Sequence, residues 1–317
     1  MAFLKIITGI FAVFVFVSSQ SLAAGPIGFG TSQQGTLTYT IGSAIARTLF
    51  KTTDIRAAVQ PNSGTGVMIP LVANGELDFG FSNTIELNQA IEGKGVFKGR
   101  PNPNLRIVAR LFPAQVGFLV RADSDFYEIS DLHGAKITTG YQSTPVLHDL
   151  IRAMLISGGL SFDDIQQVPV PSLVRGAEAF VSGRADVTFF AAGAGKVNEM
   201  NSSVGGVRFI SLSADDSDVK LMQSVVKQTY VSVLNPRPGL AGILKPTNLL
   251  TYEYTMMARA DLDDEIVYSV IKAMDNNKEM LINSSGAFRR MDRDKIIMDL
   301  GAEYHAGAIK YFKESGL

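Results

Sequence analysis

Leu71-Val72-Ala73-Asn74-Gly75-Glu76-Leu77-Asp78-Phe79-Gly80-Phe81 and Ala179-Phe180-Val181-Ser182-Gly183-Arg184-Ala185-Asp186-Val187-Thr188-Phe189-Phe190 carry the same pattern twice. Each reads as the end of a helix, a glycine stop, an aspartate and a short apolar strand. Glycine ends a helix cheaply because it adopts the left-handed conformation without a Cβ clash. One copy is ordinary helix-to-strand loop chemistry. Two copies, 108 residues apart, imply a pair of like units, each with a strand end facing a ligand. In open α/β sheets ligands sit beyond the carboxyl ends of strands, so two facing sheets make a cleft.

Working outward, strands and helices alternate on both sides of each copy. Ile27 to Thr31, Ile55 to Gln60 and Asp78 to Ser82 read as strands. Thr38 to Lys51 is an amphipathic helix with Ile41, Ile45, Ala46 and Leu49 on one face, and Val67 to Ala73 is a second helix stopped by Asn74-Gly75. Residues 94–104, rich in Gly and Pro, read as loop. Leu105 to Phe112 and Val116 to Val120 read as two strands broken at Pro113. A second unit follows, with a short helical turn at Ser130 to Leu132. Its strands are Ala135 to Thr139, Ile165 to Val170, Ala185 to Ala191 and Val207 to Leu212, and its helices Val146 to Ile156, Val174 to Val181 and Asp218 to Lys227. Tyr252 to Ala260 is strand-like, Asp263 to Ile282 one long helix, and Glu303 to Ser315 the last. The class is α/β with mostly parallel sheets.

The 317 residues suggest about two domains. Apolar residues at 46% and charged residues at 19% are ordinary for a globular chain and exclude wholesale disorder, collagen and coiled coil. The absence of cysteine excludes disulfides, thiolate metal sites and cysteine nucleophiles. With 29 basic and 30 acidic residues there is no global field to hold nucleic acid or anionic lipid.

The first 24 residues read as a secretory signal. Lys5 supplies the positive start, Ile6 to Val17 is apolar except for Thr8 and Gly9, and Ser21-Leu22-Ala23-Ala24 is a small-x-small end. Cleavage after Ala23 or Ala24 fits. A run of about twelve residues spans roughly 18 Å, short of a hydrocarbon core of about 30 Å, which argues against an uncleaved anchor. Export without disulfides points to a bacterial periplasm.

Three strand-to-helix turns carry hydroxyls, amides and glycines. The first is Gly30-Thr31-Ser32-Gln33-Gln34-Gly35-Thr36, with Tyr39 one turn into the helix. Its glycines have P-loop spacing, but Thr36 stands where that loop needs Lys, and the dinucleotide fingerprint also fails. Ser63-Gly64-Thr65-Gly66 is the second, and Tyr141-Gln142-Ser143-Thr144 before Pro145 the third. Free N–H groups and the helix dipole at such turns favour an anion, although a capped turn without ligand uses the same residues. Three together are expected to converge on a small carboxylate. Each charge-assisted hydrogen bond is worth about 1.5–3 kcal/mol, so a few of them suffice for micromolar binding after ordering costs. Asn83, ending the third strand, adds an amide to the same rim, and Phe190 ends the corresponding strand of the second unit.

Chemistry beyond binding is poorly supplied. There is no Gly-x-Ser-x-Gly elbow and no His-Glu-x-x-His. His133, His148 and His305 read as packing or surface histidines rather than bases. Asp215-Asp216-Ser217-Asp218 reads as a helix start rather than a calcium loop. Arg289, Arg290 and Arg293 read as a solvated face, and Arg110 and Arg237 as surface ion pairs, though either could reach a carboxylate in the cleft. No catalytic residue, metal or cofactor is expected.

At these residues the chain resembles the TAXI-type solute-binding proteins of tripartite ATP-independent periplasmic (TRAP) transporters, over essentially all of the mature chain. The marks are the opening Gly-Thr-x-x-x-Gly-Thr-x-x-Tyr from Gly30 to Tyr39, then Ile41-Gly42-Ser43-Ala44-Ile45-Ala46, then the Leu71 to Gly80 stretch. Leu105-Arg106-Ile107-Val108-Ala109, Leu132-His133-Gly134-Ala135-Lys136 and Ala258-Arg259-Ala260-Asp261-Leu262 follow in order. The resemblance implies a type II periplasmic-binding-protein fold, two α/β lobes joined by crossing strands with the ligand cleft between. It implies a membrane permease as partner and a small organic anion as ligand, in some members glutamate or a related dicarboxylate. Gln33 and Gln34 stand where the family usually has glycine, and Pro236-Arg237-Pro238-Gly239-Leu240 lacks the family's Tyr. The expected boundaries are 1–24 signal, 25–114 with 256–317 as lobe 1, and 115–255 as lobe 2. The expected function is capture of the anion and delivery to the permease by hinge closure, without enzymatic turnover. The alternatives are an ABC-type binding protein for a sulfonate, nitrate or pyrimidine-like ligand, and a periplasmic ligand-sensing protein.

Overall fold

The structure, a computed structural model, describes residues 25–317; the expected signal segment lies outside them. The first unit runs β1 (Ile27–Thr31), α1 (Leu37–Thr52), β2 (Ala57–Pro61), α2 (Thr65–Asn74), β3 (Phe79–Asn83) and α3 (Thr84–Glu92). A long strand β4 (Leu105–Arg121) leads out of it. The second unit runs β5 (Lys136–Gly140), α4 (Val146–Ser157), β6 (Gln166–Val170), α5 (Leu173–Val181), β7 (Val187–Ala191), α6 (Gly195–Ser203), β8 (Val207–Phe209), α7 (Asp216–Val225) and β9 (Tyr230–Leu234). A second long strand, β10 (Thr247–Arg259), returns to α8 (Asp264–Asn276), α9 (Lys278–Ser284) and α10 (Ala306–Glu314).

The strands line up as β2-β1-β3-β10-β4-β7-β5-β6, with β9 on β10 and β8 on β4. Within each unit the pairs β1–β2, β1–β3, β5–β6 and β5–β7 are parallel, as the alternation of strand and helix requires. The two long strands pair antiparallel with each other and with β3, β7, β8 and β9, so the sheet is more mixed than the sequence pattern indicates. These two strands cross from one half-sheet to the other, and the fold is two α/β lobes joined by them.

The repeated sequence pattern does the same work in both halves. Gly75 (φ 81°) ends α2 and Gly183 (φ 74°) follows α5, both left-handed. Asp78 Oδ2 then accepts from the N–H of Gly28 (2.6 Å), and Asp186 Oδ2 from the N–H of Lys136 (3.0 Å), each reaching 50 residues back. Each aspartate thus satisfies an N–H at the start of the neighbouring strand, β1 or β5, and locks the register of its half-sheet. The match extends the 108-residue offset from sequence to hydrogen bonding.

Two sequence expectations are corrected here. Pro113 does not break a strand: Leu105–Arg121 is continuous, with Pro113 opposite Glu253. Proline is tolerated because β7 covers the other edge of β4 only from Val116 onward, and a register shift between Tyr254 and Thr255 bends the ladder beside it. The long C-terminal helix is two helices: the backbone leaves helical geometry at Asn277 (φ −126°), and Asn277 Nδ2 ties back to the Ala273 carbonyl (2.8 Å). The periodicity of Asp263 to Ile282 hid that turn because both pieces bury one face. The helix α3, the helix α6 and the strand β9 were not read from the sequence, being short and weakly patterned.

The C-terminal helices return to the first half. Val267, Val270, Ile271 and Met274 of α8 join Ile41, Ile45 and Leu49 of α1 in one buried cluster with Phe312 of α10. Each such fully buried side chain contributes about 1.5–3 kcal/mol, which outweighs the weak intrinsic stability of helices this short. His305 lies at the start of α10 rather than within it: its Nδ1 accepts from the Gly307 N–H (3.1 Å). Burial pushes its pKa below the ordinary value and leaves it the neutral acceptor that a cap needs. A separate cluster forms the core of the second half, with Phe118, Leu150, Met154 and Val187. The acidic run at Asp215 opens α7, where carboxylates complement the helix dipole.

Candidate functional site

Between the half-sheets lies a cleft lined by three surfaces. Ser32, Thr36, Leu37, Thr38, Thr65 and Asn83 come from the first half; Thr144, Leu147, Leu173, Phe189, Phe190 and Ala191 from the second; Val116, Tyr252 and Tyr254 from the crossing strands. The 108-residue offset reappears across the gap: Thr36 faces the same cleft as Thr144, Thr65 as Leu173, and Asn83 as Ala191. These are the helix-entry and strand-exit positions of like units, which the topology of each half-sheet delivers to one edge. The remaining free space is about 30 Å³, room for one or two waters. A molecule of several heavy atoms enters only when the halves part.

The halves touch through backbone at two places. The Gly66 N–H donates to the Ser143 carbonyl (3.1 Å), and the Lys196 N–H to the Gly35 carbonyl (2.9 Å). Glycine is required for the first contact: a Cβ on Gly64 would overlap the Ser143 carbonyl and Thr144 Oγ1. Of the glycines read from the sequence as anion cradles, Gly35, Gly64 and Gly66 form the surfaces on which the two halves meet, while Gly30 packs against Leu77 and Met68 of its own half.

Each polar group is positioned by a local rule. Thr36 is the N-cap of α1; its Oγ1 accepts from the Tyr39 N–H (3.4 Å) and lies 3.2 Å from Thr38 Oγ1. Thr38 Oγ1 in turn accepts from the Ser32 N–H (3.0 Å), which folds the opening turn over the helix start. Asn83 caps α3: its Oδ1 accepts from the Glu86 N–H (2.8 Å), and its Nδ2 donates to Glu86 Oε2 (2.7 Å). These two bonds hold the carboxyl of Glu86, fully buried, beside the lining residue Asn83. The pKa of Glu86 is raised to about 7, because desolvation outweighs the lowering effect of the Thr65 hydroxyl, Asn83 and the Val146 N–H at the start of α4. Neither Thr65 Oγ1 nor Glu86 Oε1 completes a hydrogen bond of ordinary geometry. Burial also raises the pKa of Tyr252 and of Tyr254, so both phenols are neutral.

Of the residues expected from the sequence, Ser32, Thr36, Thr65, Asn83, Thr144 and Phe190 line the cleft, and Gly35, Gly64 and Ser143 make the contacts between halves. Thr31 is buried, packed where Gly42 of α1 comes close. Gln34, Ser63 and Gln142 are exposed, and Gln33 and Tyr39 half-buried, outside the lining. Tyr141 is a correction. It sits in the second core at φ 45°, its hydroxyl 2.6 Å from Thr138 Oγ1, because Gly140 and the positive φ turn its ring inward. The two candidate arginines are elsewhere too: Arg110 pairs with Glu253 (2.7 Å) while Arg237 donates to the Gly286 carbonyl (3.3 Å), and neither lines the cleft. Arg290 is drawn in from the expected solvated face, donating to Gln115 Oε1 (2.8 Å) over the Phe112 ring.

Sequence reading missed Tyr252, Tyr254 and Glu86. The tyrosines alternate with Glu253 on a strand, a period-two signal that marks one face. Asn83-x-x-Glu86 is a capping-box spacing, the signal that would have found both the cap and the helix.

The signature of the NMT1-like family matches residues 29–316, which takes in both half-sheets and the C-terminal helices. The chain belongs to the NMT1-like family. A solved structure described as a periplasmic transporter is similar over 93% of this chain and 93% of that one, at 13% identity and a TM-score of 0.58. That likeness supports the two-lobed fold. Looser likenesses are to the aliphatic sulphonate binding protein SsuA from Escherichia coli (15% identity, 82% and 79% covered, TM-score 0.43) and to a TctC solute binding protein from Polaromonas (13% identity, 83% and 86% covered, TM-score 0.45).

Proposed function

We propose that this chain is an exported receptor that captures a small carboxylate-bearing molecule between two lobes and presents it to a membrane permease. The supporting observation is the convergence of matched positions, Thr36 with Thr144, Thr65 with Leu173 and Asn83 with Ala191, on one cleft between halves joined by two crossing strands. The lobes are residues 25–114 with 256–317, and 115–255, after a signal of residues 1–24. The start of α1 offers unpaired N–H groups and hydroxyls to the carboxylate. Closure follows from backbone contacts available only when both lobes come together, so a ligand that contacts both shifts the equilibrium to the closed state. No step of this cycle makes or breaks a covalent bond.

The motif resemblance assigns the partner to the TRAP type, with this chain as its TAXI-type subunit. Small-angle scattering tests the binding reading: titration with carboxylates and amino acids is expected to reduce the radius of gyration, and an unchanged radius with every member of the panel overturns it. Uptake by the reconstituted permease tests the partner. Transport driven by an ion gradient supports the TRAP assignment, and a requirement for ATP replaces it with an ABC-type system.

A further inference from the structure

The two walls of the cleft differ in chemistry. The first half presents hydroxyls and an amide, Asn83, to which the buried carboxyl of Glu86 is bonded just outside the lining; the second presents Leu147, Leu173, Phe189 and Phe190 with a single hydroxyl, Thr144. No cationic side chain lines the cleft among the described residues. The position that matches Glu86 in the second unit is Ala194, so the carboxyl has no counterpart there. Its Oε1 is buried without a hydrogen-bond partner, as is Oγ1 of its neighbour Thr65.

We propose that the ligand is a zwitterion with an apolar side chain, an amino acid of the aliphatic or aromatic class, and that Glu86 receives its ammonium group. This rests on the reading of the cleft as a carboxylate-binding site and narrows it. The ligand carboxylate takes the N–H and hydroxyl groups at the start of α1, the ammonium completes Glu86 Oε1, and the side chain lies on the second half. A buried carboxylate oxygen without a partner is costly, and a ligand cation removes that cost. The neutral tyrosine rings of the crossing strand add faces that attract a cation. A second carboxylate on the ligand would meet the apolar wall without a partner, which selects against dicarboxylates.

The test uses native mass spectrometry and calorimetry of the full mature chain with three pools. The first holds leucine, isoleucine, valine, methionine and phenylalanine; the second their analogues lacking the amino group; the third succinate and glutarate. The expected result is capture from the first pool, binding at least about 100-fold weaker from the other two, and a loss of about 100-fold for the amino acid in Glu86→Gln with no loss for its des-amino analogue. Equal affinity for amino and des-amino ligands, preference for a dicarboxylate, or an unaffected Glu86→Gln variant overturns this inference and leaves the receptor function standing. Capture from none of the pools overturns both.

A second measurement needs no variant that must fold. With the halves together, burial holds the pKa of Glu86 up at about 7, so ligand affinity is expected to rise with pH through that region and level above it. The titratable groups packed against Glu86 are Tyr252 and Tyr254, which stay neutral in that range; on α4, His148 and Asp149 lie on the solvent side, paired with each other. The profile is therefore expected to survive His148→Gln; a flat profile in the wild type counts against the ammonium contact.

Discussion

The two halves share one plan and differ in what they put on it. In each, a helix ends at glycine, an aspartate reaches back 50 residues to a strand N–H, and a strand exit meets a helix entry at the cleft. Yet Asp78 bonds at 2.6 Å in a part-buried setting and Asp186 at 3.0 Å in an exposed one. At matched cleft positions the first half keeps Thr65 and Asn83 where the second has Leu173 and Ala191. Topology therefore sets where a residue lies, while the side chain alone sets what it recognises. A duplicated frame can hold a ligand by two unlike ends, polar on one side and apolar on the other.

The largest effect is expected where the halves touch. Gly64→Val drives a side chain into the Ser143 carbonyl, so ligand-induced compaction should vanish in scattering while the circular dichroism spectrum is retained. Gly286→Ala, which meets nothing within 4 Å, is the matched control and should close normally. If Gly64→Val closes as the wild type does, the contact between halves is not part of the cycle.

The next effect comes from the carboxyl that only the first half owns. The folded pKa of Glu86, about 7, lies above the ordinary value of 4.5, so the folded state holds the extra proton. The associated stability is complete below pH 4.5 and is lost as pH rises through about 7, on the order of 3 kcal/mol. Urea unfolding of Glu86→Gln should lack that part of the pH dependence; an identical slope in both proteins would remove the buried carboxyl from the account.

Smaller still is the difference between the two aspartates. Asp78→Ala is expected to cost about 1.5–3 kcal/mol and Asp186→Ala about 1 kcal/mol or less, read from denaturant midpoints. Equal costs would mean that the two strand locks are energetically the same and that burial does not separate them. The smallest effect is expected at the matched pair on the walls. Thr65→Val should weaken binding about threefold to tenfold through one lost hydroxyl, and Leu173→Thr by a similar factor through lost apolar contact, with opposite heat-capacity signatures in calorimetry.

Much of this plan is legible in the sequence. Gly75 and Gly183 announce helix ends, the aspartates and apolar strands after them announce the half-sheets, and the turns at Gly30, Ser63 and Gln142 mark one edge of each. Less was legible in the site. Tyr141 belonged by sequence position to the third turn, yet its ring turns into the core through a positive φ that no periodicity reveals. Arg110 and Arg290 carry charges that a flat reading assigns to the surface, while packing under the crossing strands buries or half-buries them.

The amino-acid sequence by itself determined the alternation of strands and helices, the duplication at 108 residues and the turn chemistry at the cleft edge. These depend on contacts within a few residues, where backbone conformation follows from local side-chain type. Only the tertiary structure decided that Pro113 lies inside a continuous crossing strand, that Gly64 and Ser143 meet, and that Glu86 Oε1 is left without a partner near two tyrosines and the start of α4. Those facts depend on groups far apart along the chain, and burial and hydrogen-bond completion are settled only when such groups are brought together.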